Sequence, residues 1–246
     1  MTLRLFASLF ALGLLACPIL PAFAQEPATQ APAAETSSSD NQKFAQLITE
    51  AQQFQAESKL LDAMEKINEA EKLRPDTAIL HNMRGSIYTA MRDFDKAKVQ
   101  FESARELQPG AFEPQFNLTE LSYVRGAYKE AEEGFRKLLE DYPKLRVEIR
   151  HITLFKILVC QLKQKNDGGA EETMKNFTFM DDTPAYYYAK AAFAFHKGDK
   201  LDGHTWANKA TQIFKRAEQT VPYVDSLIEA RWIDSLGIPE EFKPAQ

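Results

Sequence analysis

Cysteine is almost missing from this chain. Two occur in 246 residues, Cys17 and Cys160, and they are too far apart for the close spacing of a zinc ribbon or a redox dithiol. Histidine is sparse as well. The four present, His81, His151, His196 and His204, include no pair four apart with a glutamate between, so the sequence predicts no metal centre. Glycine-rich phosphate loops are absent, and so is the G-x-S-x-G elbow that presents a catalytic serine. A basic excess is absent too: 30 lysines and arginines stand against 35 acids, for a net charge of −5. Without a cationic stripe there is no counterion release along phosphate to drive binding, which removes nucleic acid as a partner. The longest apolar run, Leu5 to Leu15, is too short for a permanent transmembrane span. The acidic doublets Glu132-Glu133 and Asp181-Asp182 have no nearby group that would make an acid–base couple, and are expected to be solvated or capping residues. Together these absences predict no catalytic residue and no cofactor.

What the chain does contain is a period. Pro75, Pro109 and Pro143 lie 34 residues apart (109−75 and 143−109). The same step carries Ala63, Ala97 and Ala131; Ile67, Phe101 and Phe135; Ala70, Ala104 and Leu138; and Leu60, Phe94 and Tyr128. A fixed step of this length means stacked copies of one small unit, none able to bury its apolar face alone. Inside a period the spacing is helical, as in Ala97, Val99, Phe101, Ala104 and Leu107, and the proline that follows stops the helix. Ala78 to Ala90 predicts a preceding helix, and Asp93 is placed to cap the next. Each unit is therefore helix, tight turn, helix, proline. The repeated alanines fall where two antiparallel helices touch; a leucine there would overpack the crossing at roughly 1–3 kcal/mol.

These residues resemble the tetratricopeptide repeat over three consecutive units, 44–77, 78–111 and 112–145. The second is the clearest, with Gly85, Tyr88, Phe94, Ala97, Phe101, Ala104 and Pro109 in the family's positions. Departures are local: Leu47, His81 and Gln115 stand where tryptophan is usual, and Thr119 replaces the small residue of the third unit. The resemblance implies an all-α fold, a right-handed α-solenoid of antiparallel helix pairs. An atypical unit is expected over 146–183, with a long apolar helix and a short one after Gly168-Gly169. A degenerate unit over 184–219 is expected to open at Thr183-Pro184 as N-cap and first helical residue. A capping helix over 222–236, begun by Pro222 and stopped by Gly237, should cover the end of the stack. The total is about eleven helices and no strand, in one repeat domain over 41–246.

The amino terminus predicts export. Arg4, the apolar run and Ala22-Phe23-Ala24 form a signal peptide over 1–24, cleaved after Ala24. The rival reading takes Leu14-Leu15-Ala16-Cys17 as a lipobox with Cys17 acylated. Residues 25–40, rich in Pro, Ala, Ser and Thr, predict a disordered tether. Cys160, within an apolar helix, is expected to be an inert core thiol. A periplasmic or secreted protein follows, or an outer-membrane lipoprotein if Cys17 is acylated.

The resemblance also implies where a partner would dock. First helices line the concave side, and the family's groove positions carry over to Asn82, Phe116, Tyr123, Tyr188 and Phe195 as partner-binding residues, among neighbours such as Ile48, Gln52 and Glu113. The cationic clamp with which some members hold a chaperone's C-terminal carboxylate has no counterpart, since Ile48, Gln52, Met83, Glu113 and Asn117 occupy its positions. The expected function is a non-catalytic scaffold for a protein or peptide partner. The alternative is a lipid-anchored envelope assembly factor of the pilus or outer-membrane type.

Overall fold

The structure, a computed structural model, describes residues 38–234. The export signal, Cys17, most of the tether and the Gly237 stop lie outside them. Among the described residues there are eleven helices and no strand. They are α1 (Ser38–Ala56), α2 (Leu60–Leu73), α3 (Ala78–Ala90), α4 (Phe94–Leu107), α5 (Phe112–Val124) and α6 (Tyr128–Asp141). The series continues with α7 (Val147–Lys163), α8 (Asp167–Met174), α9 (Ala185–His196), α10 (Lys200–Ile213) and α11 (Ala217–Glu229). The last three residues assigned to the tether, Ser38 to Asp40, are already helical.

The tight turns repeat as faithfully as the prolines. After α1, α3, α5, α7 and α9 one residue takes positive φ: Ser58 (59°), Arg92 (63°), Gly126 (80°), Lys165 (60°) and Gly198 (83°). The next N–H then reaches back five residues, as in Asp93 to the Tyr88 carbonyl at 2.9 Å and Asn166 to that of Gln161 at 2.9 Å. This left-handed cap satisfies the last carbonyls of the first helix and turns the chain at once into the second. Asp93, Asn166 and Asp199 then cap α4, α8 and α10 by accepting from the N–H groups of Lys96, Gly169 and Asp202. Gly168 and Gly169 therefore sit inside the first turn of α8 and not between helices, because Asn166 starts that helix ahead of them.

Partner helices meet where one side lacks bulk. A Cβ on Gly85 of α3 would lie 2.5 Å from the Phe101 ring of α4, and one on Gly203 of α10 would lie 2.4 Å from the Phe195 ring of α9. In the third unit the polarity reverses: Thr119 of α5 takes the room left by Gly134 of α6, where a Cβ would lie 2.7 Å from its methyl. The departure at Thr119 is thus compensated across the hairpin.

Helix α7 is the centre of the molecule. Every residue from His151 to Leu162 is buried, so beyond its exposed first turn the helix has no solvent face, the condition of a helix enclosed on all sides. Cys160 is buried there, and loss of solvent pushes its thiol well above the usual range. Glu132, expected at the surface, accepts from Arg136 at 2.9 Å and from Gln161 and Gln164 at 3.1 and 2.8 Å, tying α6 to α7. Thr183 does not cap α9; its hydroxyl meets His151 Nδ1 at 2.7 Å, so it fastens the loop before α9 onto α7.

The last helix departs most from expectation. It begins at Ala217, five residues ahead of Pro222, which lies inside it. It does not cover the end of the stack. It runs back over α9, α7 and α5, and its far end reaches the turn between α3 and α4.

Candidate partner-binding groove

The first helices of the units, α5, α7 and α9, turn one face inward, and α11 lies on it. Tyr223 of α11 stacks on Tyr188 of α9, with ring centroids 5.2 Å apart and planes 11° from parallel, and packs 5.1 Å from Phe155 of α7. One turn on, the Tyr123 hydroxyl of α5 donates to the Ser226 carbonyl at 2.6 Å. Lys156 of α7 donates to the Ser226 hydroxyl at 2.9 Å and to Glu120 of α5 at 2.5 Å, with the Tyr123 ring 4.8 Å from its ammonium. At the end of α11, Arg92 pairs with Glu229 at 3.0 Å and Lys163 donates to the Ala230 carbonyl at 2.8 Å. Cations thus meet the carbonyl end of the helix, where its dipole favours them.

The electrostatics of this junction are unusual for a repeat core. Lys156 and Glu120 are both buried, and such a pair holds only with close geometry and further hydrogen bonds. Asp225 lacks that support. Its Oδ2 is buried without a hydrogen-bond partner, and burial pushes its carboxyl up to about 8 against the opposing pull of Lys156. Burial also raises Glu229, with Arg92 acting the other way. The Tyr223 and Tyr188 hydroxyls face Thr183 and Thr220 without reaching hydrogen-bond geometry.

Four of the five residues expected to line an open groove are buried, for two different reasons. Phe116 packs against Phe112 and Phe135, at 5.4 and 5.6 Å, and Phe195 lies against Gly203 and the His204 ring. Both belong to the contact within a hairpin. Tyr123 and Tyr188 do face inward but are covered by α11. Only Asn82 keeps partial exposure, with its Oδ1 accepting from Asn117 Nδ2 at 2.9 Å across α3 and α5. Along the amino-terminal first helices Gln52 is half-buried and Ile79 and Glu113 are exposed, whereas Ile48 is buried.

Reading the sequence missed Arg92, Lys156, Lys163, Asp225 and Glu229. One signal was available: Ile152 to Leu162 is broken by few polar residues, which a helix with an open concave face would show. The histidines are structural. His81 bridges Asp76 and Gln100 at 2.8 and 2.9 Å, and His196 meets Asp167 at 2.9 Å. Among the described residues no group of three or more His, Cys, Asp or Glu is placed to hold a metal ion, and no helix is long and apolar enough to cross a membrane.

Antiparallel hairpins, each closed by the same left-handed turn and stacked through its first helix, decide the fold. The chain has the tetratricopeptide-repeat fold. No family model matches it. Solved structures share the fold. PilW, described as a widely conserved type IV pilus biogenesis factor, superposes with a TM-score of 0.56 at 21% identity, covering 80% of this chain and 89% of its own. Pseudomonas aeruginosa PilF gives 0.55 at 11% identity, over 79% and 97%. Among curated proteins, the small glutamine-rich tetratricopeptide repeat-containing protein 2 of Saccharomyces cerevisiae is 31% identical over 78 residues, 32% of this chain. The match spans 22% of that relative's length.

Proposed function

We propose that this chain is a non-catalytic, exported scaffold that docks a protein or peptide partner on the inner face of its repeats. The carrying observation is the amino-terminal half of that face. There α1, α3 and α5 present Gln52, Ile79, Asn82 and Glu113 to solvent, amides beside apolar surface and one acid, a surface suited to an extended or helical peptide. Export rests on the amino-terminal signal read in the sequence.

Site-specific photocrosslinking in the intact cell tests the reading. A crosslinker at Gln52 or Asn82 is expected to give one discrete adduct, and the same group at Val99, exposed on α4, none. Equal adducts from both faces, or none from the inner one, would refute it.

A second reading, a lipid-anchored envelope assembly factor, is favoured by the likeness to PilF and PilW and by the Leu14–Cys17 stretch. The mass of the mature amino terminus separates the two: it begins at Gln25 for the soluble form and at acylated Cys17 for the anchored one.

A further inference from the structure

Helix α11 sits on α5, α7 and α9 as a bound peptide would. Its residues Thr220, Tyr223, Val224, Ser226 and Leu227 are buried, with Ala230 just past its end, and Tyr223, Ser226, Leu227 and Ala230 fall at i, i+3, i+4 and i+7, the spacing of an amphipathic helix laid in a groove. Much of the floor recognises a helix as such and not this sequence. Tyr123 and Lys163 donate to main-chain carbonyls, those of Ser226 and Ala230, which any helix in that place would offer. Arg92 adds a cation opposite the last turn. The features shaped to this sequence are the slot between Phe155 and Tyr188 that holds the Tyr223 ring and the Lys156 ammonium that meets the Ser226 hydroxyl.

The occupant fits imperfectly. Pro222 deprives α11 of one internal hydrogen bond. Asp225 leaves a buried carboxylate oxygen without a partner, an arrangement that costs free energy wherever it occurs. Only residues 214–216 join α11 to α10, so the helix can leave by rotation within that short link while the hairpins stay stacked.

We propose that the floor beneath α11 is a second docking groove, that its external ligand is an amphipathic helix from another protein, and that α11 is the placeholder such a helix displaces. The ligand carries an aromatic ring, a small residue three positions on and a leucine after it, with an acid in its last turn for Arg92. It lacks the internal proline and the buried acid. This inference rests on the scaffold reading of the inner face but uses its other half, so the crosslinks from Gln52 and Asn82 stand or fall without it.

The test uses the full chain and a labelled peptide of residues 217–232 carrying Pro222→Ala and Asp225→Asn. The chain with Tyr223→Ala and Leu227→Ala, whose own α11 is loosened, is expected to bind this peptide at least about tenfold more tightly than the unaltered chain, because the closed form withholds the site. Removing the peptide's own tyrosine ring should abolish binding. Equal affinity for both chains, or none for the loosened one, would overturn the proposal. Should the loosened chain fail to fold, hydrogen exchange on the unaltered protein decides. Amides of α11 exchanging well ahead of those of α7 are expected, and equal protection would make α11 a fixed part of the core and end the idea.

Discussion

Gly134 shows how a single position can carry a departure elsewhere. Thr119 brings a methyl and a hydroxyl to a crossing that otherwise takes a smaller residue, and its hydroxyl is spent on the Gln115 carbonyl at 3.0 Å. The methyl fits only because nothing projects from Gly134. Gly134→Ala should therefore destabilise the fold by about 1–3 kcal/mol, despite alanine's better helix propensity. In a Thr119→Ala background the same change should be neutral or stabilising, and a double-mutant cycle on urea midpoints would measure the coupling. Asp225 gives a second prediction. The carboxyl titrates near 8 in the fold against an ordinary 3.8, so between those values the folded chain holds a proton that the unfolded chain has lost. Stability should fall as pH rises through that window. It is faced by Lys156 of α7, Glu120 of α5 and Glu229 of its own helix. Asp225→Asn keeps the shape of the neutral acid and should leave a shallower fall, the remainder coming from Glu229. Urea midpoints at about pH 5 and about pH 8.5 would show this, and equal slopes would contradict the assignment.

At the scale of elements, the hairpins were legible and their closure was not. Prolines, alanines and bulky residues at a common step fix where helices start, stop and touch, since each feature acts within its own unit. The course of α11 depends on which surface covers which, and periodicity marks a buried stripe without naming its neighbour. Pro222 misled for a related reason: proline suits the first helical position, but the helix already starts at Ala217, with Thr220 buried in the turn ahead of it. The candidate site was half legible. Tyr123 and Tyr188 do face inward, but Lys156 and Glu120 gave no local sign that the fold would pair them. That pair supplies an element-scale prediction. Lys156→Met should cost about 3–5 kcal/mol by leaving the Glu120 carboxylate buried and unpaired, and adding Glu120→Gln should restore most of it. Thermal unfolding of the three variants would check this. A loss that persists in the double variant would mean that the lysine matters for its bonds to α11 and not for its partner on α5.

For the whole molecule, the buried residues fall into separate cores. One runs from Phe44 to Ile87, a small one joins Ala97, Phe101 and Leu121, and the largest spans Phe116 to Ile233. Stacked repeats hold one another only through nearest neighbours, so stability is unevenly shared along such a chain. Helix α11 breaks that rule in the carboxy-terminal part by linking α5, α7 and α9 at once. Native-state hydrogen exchange should find α1 and α2 opening about 2 kcal/mol or more below the energy at which α5 to α9 open. Uniform protection throughout would show that the cores behave as one.

The same linkage has a mechanical side. A coil of hairpins is a spring, and stretching it separates successive first helices along the axis. With Tyr188, Lys156 and Tyr123 all fastened to one rod, and Arg92 gripping its tip, the last turns of the coil cannot lengthen unless the rod comes away. The amino-terminal turns carry no such brace. Stretched between α1 and α10, this chain should yield first over α1 to α4 and stay stiff over α5 to α10, changing to one soft spring when α11 lets go.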